Sequence, residues 1–415
     1  MKFETIIGTL ALFLSFSSNA LAEGKPIVLG DVAPYSTVAF YADAMKAGIL
    51  LAIDDINKQG GILGRKIELK SKDDKFDPAE TRKATLDLIT NEKVDFLVGG
   101  VGDAACENMS AVAKEKNKLF IATICVGETI TNHQFHPNVV RAAVVNLNVG
   151  RMLAAHAKKK FPNAKKWAIL GSVNGSAREE IEAFRNEMLK LDPKIKFIKE
   201  AYVPMGTQDF TANITAMRAL KPDAMFVNLL GGDNITFSKQ AKGLKLFEKI
   251  KLASASAADG AELAATGPDV SEGGIGIDAL SMNAEAFAKY KGLEEWNERY
   301  KKFSGGKDGF WVSAWGYQAV VTLAEAAKRA KSLDKDKLIA EFDKGFEFSL
   351  PWSHVVMRGC DHQAYNDTFQ LGTIHYDEKA KKAKLIDVEA YNSMKYAKSC
   401  EDVAKDRKDN PNKVF

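Results

Sequence analysis

Cys106, Cys125, Cys360 and Cys400, the pair His133 and His136, and the glycine-rich run at 99–102 are where this chain could do covalent, metal or phosphate chemistry. Each falls short of it. A nucleophilic cysteine needs a base and an exposed thiolate, and nothing in the sequence sets either beside Cys125. His133 and His136 flank Gln134 and Phe135 and precede Pro137 with no cysteine nearby, which reads as a surface turn rather than a metal site. Gly99, Gly100 and Gly102 lack the G-x-G-x-x-G spacing of a dinucleotide loop, and no H-E-x-x-H, G-x-S-x-G or Walker sequence occurs. The chain points away from catalysis, cofactors and metals and toward non-covalent binding.

Segments suited to binding are short and rich in Gly, Ala, Ser or Asn: 32–41, 99–106 and 124–129, then 171–178, 229–234 and 254–259. Small residues let a solute approach the backbone closely. Each segment follows a short apolar run, and the runs 27–31, 94–99, 119–124, 167–171, 197–203, 224–230 and 252–255 alternate with amphipathic stretches. That alternation predicts parallel sheets with helices on both faces, arranged as two Rossmann-like lobes. Open parallel sheets bind ligands beyond the carboxyl ends of their strands, where helix N-termini present N–H groups. Asn228 and Asn234 offer hydrogen bonds there, unless they only form turns, as strand-end asparagines often do. Runs 284–303 and 310–330 are expected as helices, with Trp311, Trp315 and Tyr317 in the core rather than on a ligand.

The stretch 41–80 shows how local cues position such loops. Met45, Ile49, Ala52, Ile53 and Ile56 recur at helical spacing, while Asp54, Asp55 and Lys58 face elsewhere. Gly60 and Gly61 end that helix and Gly64 permits a second bend before a strand at 66–70. Asp77 is placed to cap the next helix, Pro78 fits its first position, and Glu80 can complete a capping box.

With 415 residues, 46% hydrophobic and 27% charged, the chain has the length for two domains and the composition of a globular protein. A formal charge of +4 is too small to imply a nucleic-acid partner. Lys2, the apolar run 6–16 and Ala20-Leu21-Ala22 read as a signal peptide at 1–22, cleaved after Ala22 to release a soluble periplasmic protein. An uncleaved anchor is the alternative. Exported cysteines meet oxidising conditions, and four of them allow three connectivities. A helix start at Cys106 beside a neighbouring strand end at Cys125 favours that pair, leaving Cys360 for Cys400; free buried thiols are the alternative. The charged tail 395–415 is expected to be exposed and to fray at its end.

The run IDDINKQGGILGRKIEL followed by DDKFDP resembles the periplasmic solute-binding proteins for branched-chain amino acids and amides. In those, a helix ending IN-x-x-GG-x-x-G-x-x-I-x-L precedes DD-x-x-DP. The likeness extends from about Lys25 to about Asp377. It implies a type I periplasmic binding protein fold, two lobes joined by a three-crossing hinge with crossings near Ala143, Leu280 and His354. The lobes are then 25–143 with 281–354, and 144–280 with 355–394. The implied protein is a monomeric substrate-binding component of an ABC importer, closing on an amino acid-, amide- or organic acid-like solute and serving permease and ATPase subunits at the inner membrane. A periplasmic sensor feeding a membrane receptor is the alternative. A bridge common among relatives would fall at Phe76 and Gly102 and is absent here.

Carried over by position, the resemblance places the pocket at Tyr41, Asp103, Ala104, Ile124, Cys125, Val126, Ser176, Arg178, Asn228, Leu230 and Ser256. Several of these depart from the family pattern. Asp103 stands where relatives use a serine and backbone N–H groups to hold a ligand carboxylate, and two negative charges at about 4 Å repel. The usual A-A-T has become Ile124-Cys125-Val126, the glutamate that pairs with an ammonium has become Ser256, and second-lobe tyrosines have become Ser176 and Leu230. Asp103 is accordingly expected to receive a cationic or hydrogen-bonding end of the ligand, with Arg178 holding an anion, or else only to cap a helix opening at Ala104.

Overall fold

A computed structural model describes residues 24–410 apart from 281 and 283; the expected signal peptide and its expected cleavage point lie outside the described residues. Strands gather into two sheets. Edge to edge, the first runs Phe346–Leu350, Ser353–Arg358, Gln363–Asn366, Val139–Arg141, Phe120–Ile124, Phe96–Val101, Ile27–Ala33 and Ile67–Asp73. The second runs Lys382–Tyr391, Phe369–Asp377, Ile275–Asp278, Lys251–Ser254, Ala224–Asn228, Lys166–Ser172 and Lys196–Val203. Pairing is parallel through most of each sheet, with antiparallel strands at one edge.

The cues at 41–80 explain the first helix–turn–strand unit. Helix Ala39–Lys58 buries Met45, Ile49, Ala52 and Ile53, and Gly60, Gly61 and Gly64 all take positive φ, as tight bends require. Asn57 ties the helix end to the next strand: its amide donates to the Ile67 carbonyl at 2.9 Å and accepts the Ile67 N–H at 2.8 Å. Asp77 caps helix Pro78–Thr90 by accepting from Ala79 and Glu80 N–H groups. The Glu80 side chain, by contrast, lies 3.5 Å from Lys83.

The chain passes between sheets after Arg141, after Asp278 and between Asn366 and Phe369. The last passage is later than the expected one near His354, because Ser353–Arg358 and Gln363–Asn366 pair with each other and extend the first sheet. Nor does the tail lie free. Helix Cys400–Asp409, capped by Ser399, returns to the first lobe, where Arg407 donates to the Thr131 carbonyl at 2.8 Å and Lys398 bridges Glu128 and Asp406. Expected fraying falls partly at 411–415, outside the described residues. This tail also covers His133, which is buried near Asp406, while His136 is buried against the Ser110 hydroxyl at 2.9 Å. His133 does lie in a turn, but both histidines are buried rather than at the expected surface, and burial pulls the His136 pKa down to about 4.

Cys106 bonds to Cys125 and Cys360 to Cys400. The first closes a loop of 19 residues between a helix start and a strand end, so replacing both cysteines by alanine is expected to remove about 3 kcal/mol of unfolding free energy. Urea titration checks this, and an unchanged midpoint would contradict it.

Candidate functional site

Between the sheets lies a cavity of about 130 Å³, comparable to the roughly 150 Å³ that accommodates a benzene ring in an apolar core. The first lobe supplies Tyr41 from the opening turn of helix Ala39–Lys58, Val126 from the loop after Phe120–Ile124, and Trp311 and Trp315 from helix Trp311–Ala330. From the second come Ser176 and Glu180 on helix Gly175–Leu191, Asn228 and Leu230 at a strand end, then Ser256, Asp259, Glu262 and Asp278. Strand ends and helix starts converge there, as open parallel sheets dictate.

Hydrogen bonds cross directly between the lobes beside the cavity. The Trp311 indole N–H donates to Asp259 at 2.7 Å, and the Glu128 backbone N–H donates to Glu179 at 2.8 Å. Asp259 also accepts from the Ala261 and Glu262 N–H groups, and Glu262 accepts from the Gly231 N–H and the Asn234 amide, each at 2.7 Å. Burial pushes the Glu180 carboxyl up to about 8, offset only in part by the nearby Asn228 amide. Glu262 is pushed to about 8 by burial and by the neighbouring charge of Asp259. Burial raises Tyr41 and Asp259 in the same direction.

Of the positions expected from sequence, Tyr41, Val126, Ser176, Asn228, Leu230 and Ser256 line this cavity. Asp103, Ala104, Ile124, Cys125 and Arg178 do not. Asp103 is the first residue of helix Asp103–Glu115, whose N-cap is Gly102, so it is not the cap of a helix opening at Ala104. Its carboxylate instead accepts the Gly127 N–H at 2.8 Å. Ala104 is exposed, Ile124 and Cys125 are buried, and Cys125 is bridged. The Arg178 guanidinium stacks 4.6 Å from the centre of the Tyr202 ring. Asn234 bonds Glu262 outside the cavity lining. Among the described residues no group of three or more His, Cys, Asp or Glu side chains is arranged to hold a metal ion.

A sequence profile described as periplasmic binding protein matches residues 27–375. The chain belongs to the periplasmic binding protein family. This binding protein is 28% identical over 227 residues to the Leu/Ile/Val-binding protein BraC3 of Rhizobium johnstonii, covering 54% of this chain and 60% of that one. It therefore spans less than two thirds of that relative's length. Identity is 25% over 326 residues to the leucine-, isoleucine-, valine-, threonine-, and alanine-binding protein of Pseudomonas aeruginosa, covering 77% and 82% respectively. Among solved structures, the solute binding protein of an ABC transporter from Rhodopseudomonas palustris BisB5, in complex with 3,4-dihydroxybenzoic acid, matches with a TM-score of 0.76. That match has 22% identity and covers 89% of this chain and 98% of the other. The shared feature is the fold, two α/β lobes of the type I periplasmic binding protein kind.

Sequence reasoning misses the acids of this binding protein and assigns Trp311 and Trp315 to the core, whereas both line the cavity. Glu180 was within reach, because it lies four residues after Ser176 and so shares its helix face. Asp259 and Glu262 carry the spacing of a capping box, but only the fold brings them opposite Trp311.

Proposed function

We propose that this protein is the periplasmic substrate-binding component of an ABC importer, capturing one small solute between its lobes and presenting the closed form to a permease and its ATPase. The supporting observation is a cavity walled by both lobes, with the Trp311 to Asp259 bond drawn across it. A solute held there touches both walls, so its contacts exist only in the closed arrangement and shift the hinge equilibrium toward closure. The names of relatives, Leu/Ile/Val-binding and ABC transporter solute-binding, agree with this role. Amino acid-, amide- and organic acid-like molecules match the size of the cavity. No helix among the described residues is long and apolar enough to cross a membrane.

A thermal-shift screen of such solutes, followed by small-angle scattering, tests the proposal. At a hundredfold excess over its dissociation constant, the true solute adds about 2.7 kcal/mol of stability and lowers the radius of gyration. Solutes that stabilise the protein without compacting it would count against capture by closure.

A further inference from the structure

Several backbone donors around the cleft are already occupied by the chain's own oxygens. On the first lobe, the Gly127 N–H bonds to Asp103 and the Glu128 N–H to Glu179, each at 2.8 Å. On the second, Glu262 takes the Gly231 N–H, Asp259 takes those of Ala261 and Glu262, and the Asn174 side chain takes that of Ala177. A helix start whose N–H groups are bonded, and whose positive end already faces a carboxylate, has little left for a second anion. No Lys, Arg or His among the described residues lines the cavity.

Two buried polar atoms of the lining are left without a hydrogen bond, a donor, Nδ2 of Asn228, and an acceptor on Glu180 beside it. Oε1 of Glu180 receives no hydrogen bond although the side chain lines the cavity and the residue is only 6% exposed. A buried carboxyl oxygen without a donor is costly and calls for one. Asp259, Glu262 and Asp278 bring further negative character to the same walls. Facing them are aromatic rings: Trp311 and Trp315 with centroids 4.7 Å apart, and Tyr41 with its centroid 5.7 Å from that of Trp311. Carboxyl groups beside indole and phenol faces form an environment that attracts a positive nitrogen on an apolar body.

We propose that the solute is a small organic cation, a protonated amine on a compact apolar or aromatic frame, whose ammonium donates to Glu180 while the frame lies against Trp311, Trp315 and Tyr41. This rests on the cleft being the capture site proposed above. Four probes of similar size separate the possibilities by calorimetry: phenethylamine, its neutral counterpart phenylethanol, benzoate and leucine. Phenethylamine is expected to bind at least tenfold more tightly than the other three. Glu180→Gln, which keeps the shape and removes the carboxyl that ionises to pair with the ammonium, is expected to raise its dissociation constant at least tenfold while the unliganded melting temperature holds or rises. Tyr41→Leu, which leaves every carboxyl in place, is expected to weaken phenethylamine severalfold and serves if the first variant fails to fold. Tighter binding of benzoate or leucine, equal binding of phenylethanol, or an indifferent Glu180→Gln variant would overturn the cation while leaving solute capture standing. A flat response to all four overturns the cation, and if the unfractionated small molecules of a periplasmic extract also leave the melting temperature unmoved, the capture reading falls with it.

Discussion

A valine at Gly48 is expected to lower the unfolding free energy by about 4 kcal/mol, above the roughly 1–3 kcal/mol usual for an overpacked site. The reason is where helix Ala39–Lys58 crosses helix Trp311–Ala330. A Cβ at Gly48 would stand 2.0 Å from the Ser313 carbonyl oxygen, and one at Gly316 would stand 2.3 Å from the Met45 carbonyl oxygen. Both obstacles are backbone, so no side chain can rotate aside, and the helices must separate. Those two helices also carry Tyr41, Trp311 and Trp315 into the cavity. Loss of stability is therefore expected to come with loss of solute affinity. Urea titration gives the first quantity and calorimetry the second. Gly243→Ala, at a helix end with nothing within 4 Å of the added methyl, is the control and should shift stability by less than about 0.5 kcal/mol. A Gly48→Val midpoint as close to the parent as that of the control would refute the crossing argument.

The same pair of helices shows what a sequence can and cannot reveal. Within 41–80 the apolar stripe, the positive-φ glycines and the Asp77 cap are local chemistry, and local patterning was enough to place them. Gly48 and Gly316 carry no local signal, because their need for hydrogen in place of a side chain comes from a partner more than 250 residues away. The sheet membership of Ser353–Asn366 is of the same kind. Burial alternates along Ser353–Arg358 and is continuous along Gln363–Asn366, yet neither pattern says which sheet a strand joins. The cavity divides along this line too. Loops at strand ends were legible from topology alone, whereas Glu180, Asp259 and Glu262 became site residues through the way opposite lobes meet. Asp103 was noticed as an unexpected acid, but its partner, the Gly127 N–H of the next loop, is a tertiary fact.

Arg141→Met is expected to weaken solute binding about a hundredfold while leaving the unliganded urea midpoint little changed. Arg141 ends strand Val139–Arg141, fully buried, with one guanidinium nitrogen donating to the Thr131 hydroxyl at 2.7 Å and two others making no hydrogen bond. Its charge opposes the burial and the Glu128 and Asp103 repulsion that together hold the Glu179 carboxyl well above the usual carboxylate range. Arg141 acts on Glu179 through its field rather than through an ion pair, and removing the charge that compensates a buried one costs up to about 3–5 kcal/mol. Here the partners sit on opposite lobes: Arg141 belongs to the first sheet, Glu179 to a helix of the second. Opening the hinge admits water to Glu179 and relieves the penalty, so the cost falls on closure and hence on affinity; about 3 kcal/mol corresponds to roughly a hundredfold. Protonation offers a second relief. Since the Glu179 pKa is raised, lowering the pH neutralises it in the closed form, and the deficit of the Arg141→Met variant should shrink as the pH falls. Adding Glu179→Gln to Arg141→Met should likewise restore most of the lost affinity, which a double-mutant cycle measures as coupling between the two positions. If Arg141→Met instead lowers the unliganded midpoint by the full amount and Glu179→Gln restores nothing, the guanidinium supports the first lobe from within and takes no part in closing the cleft.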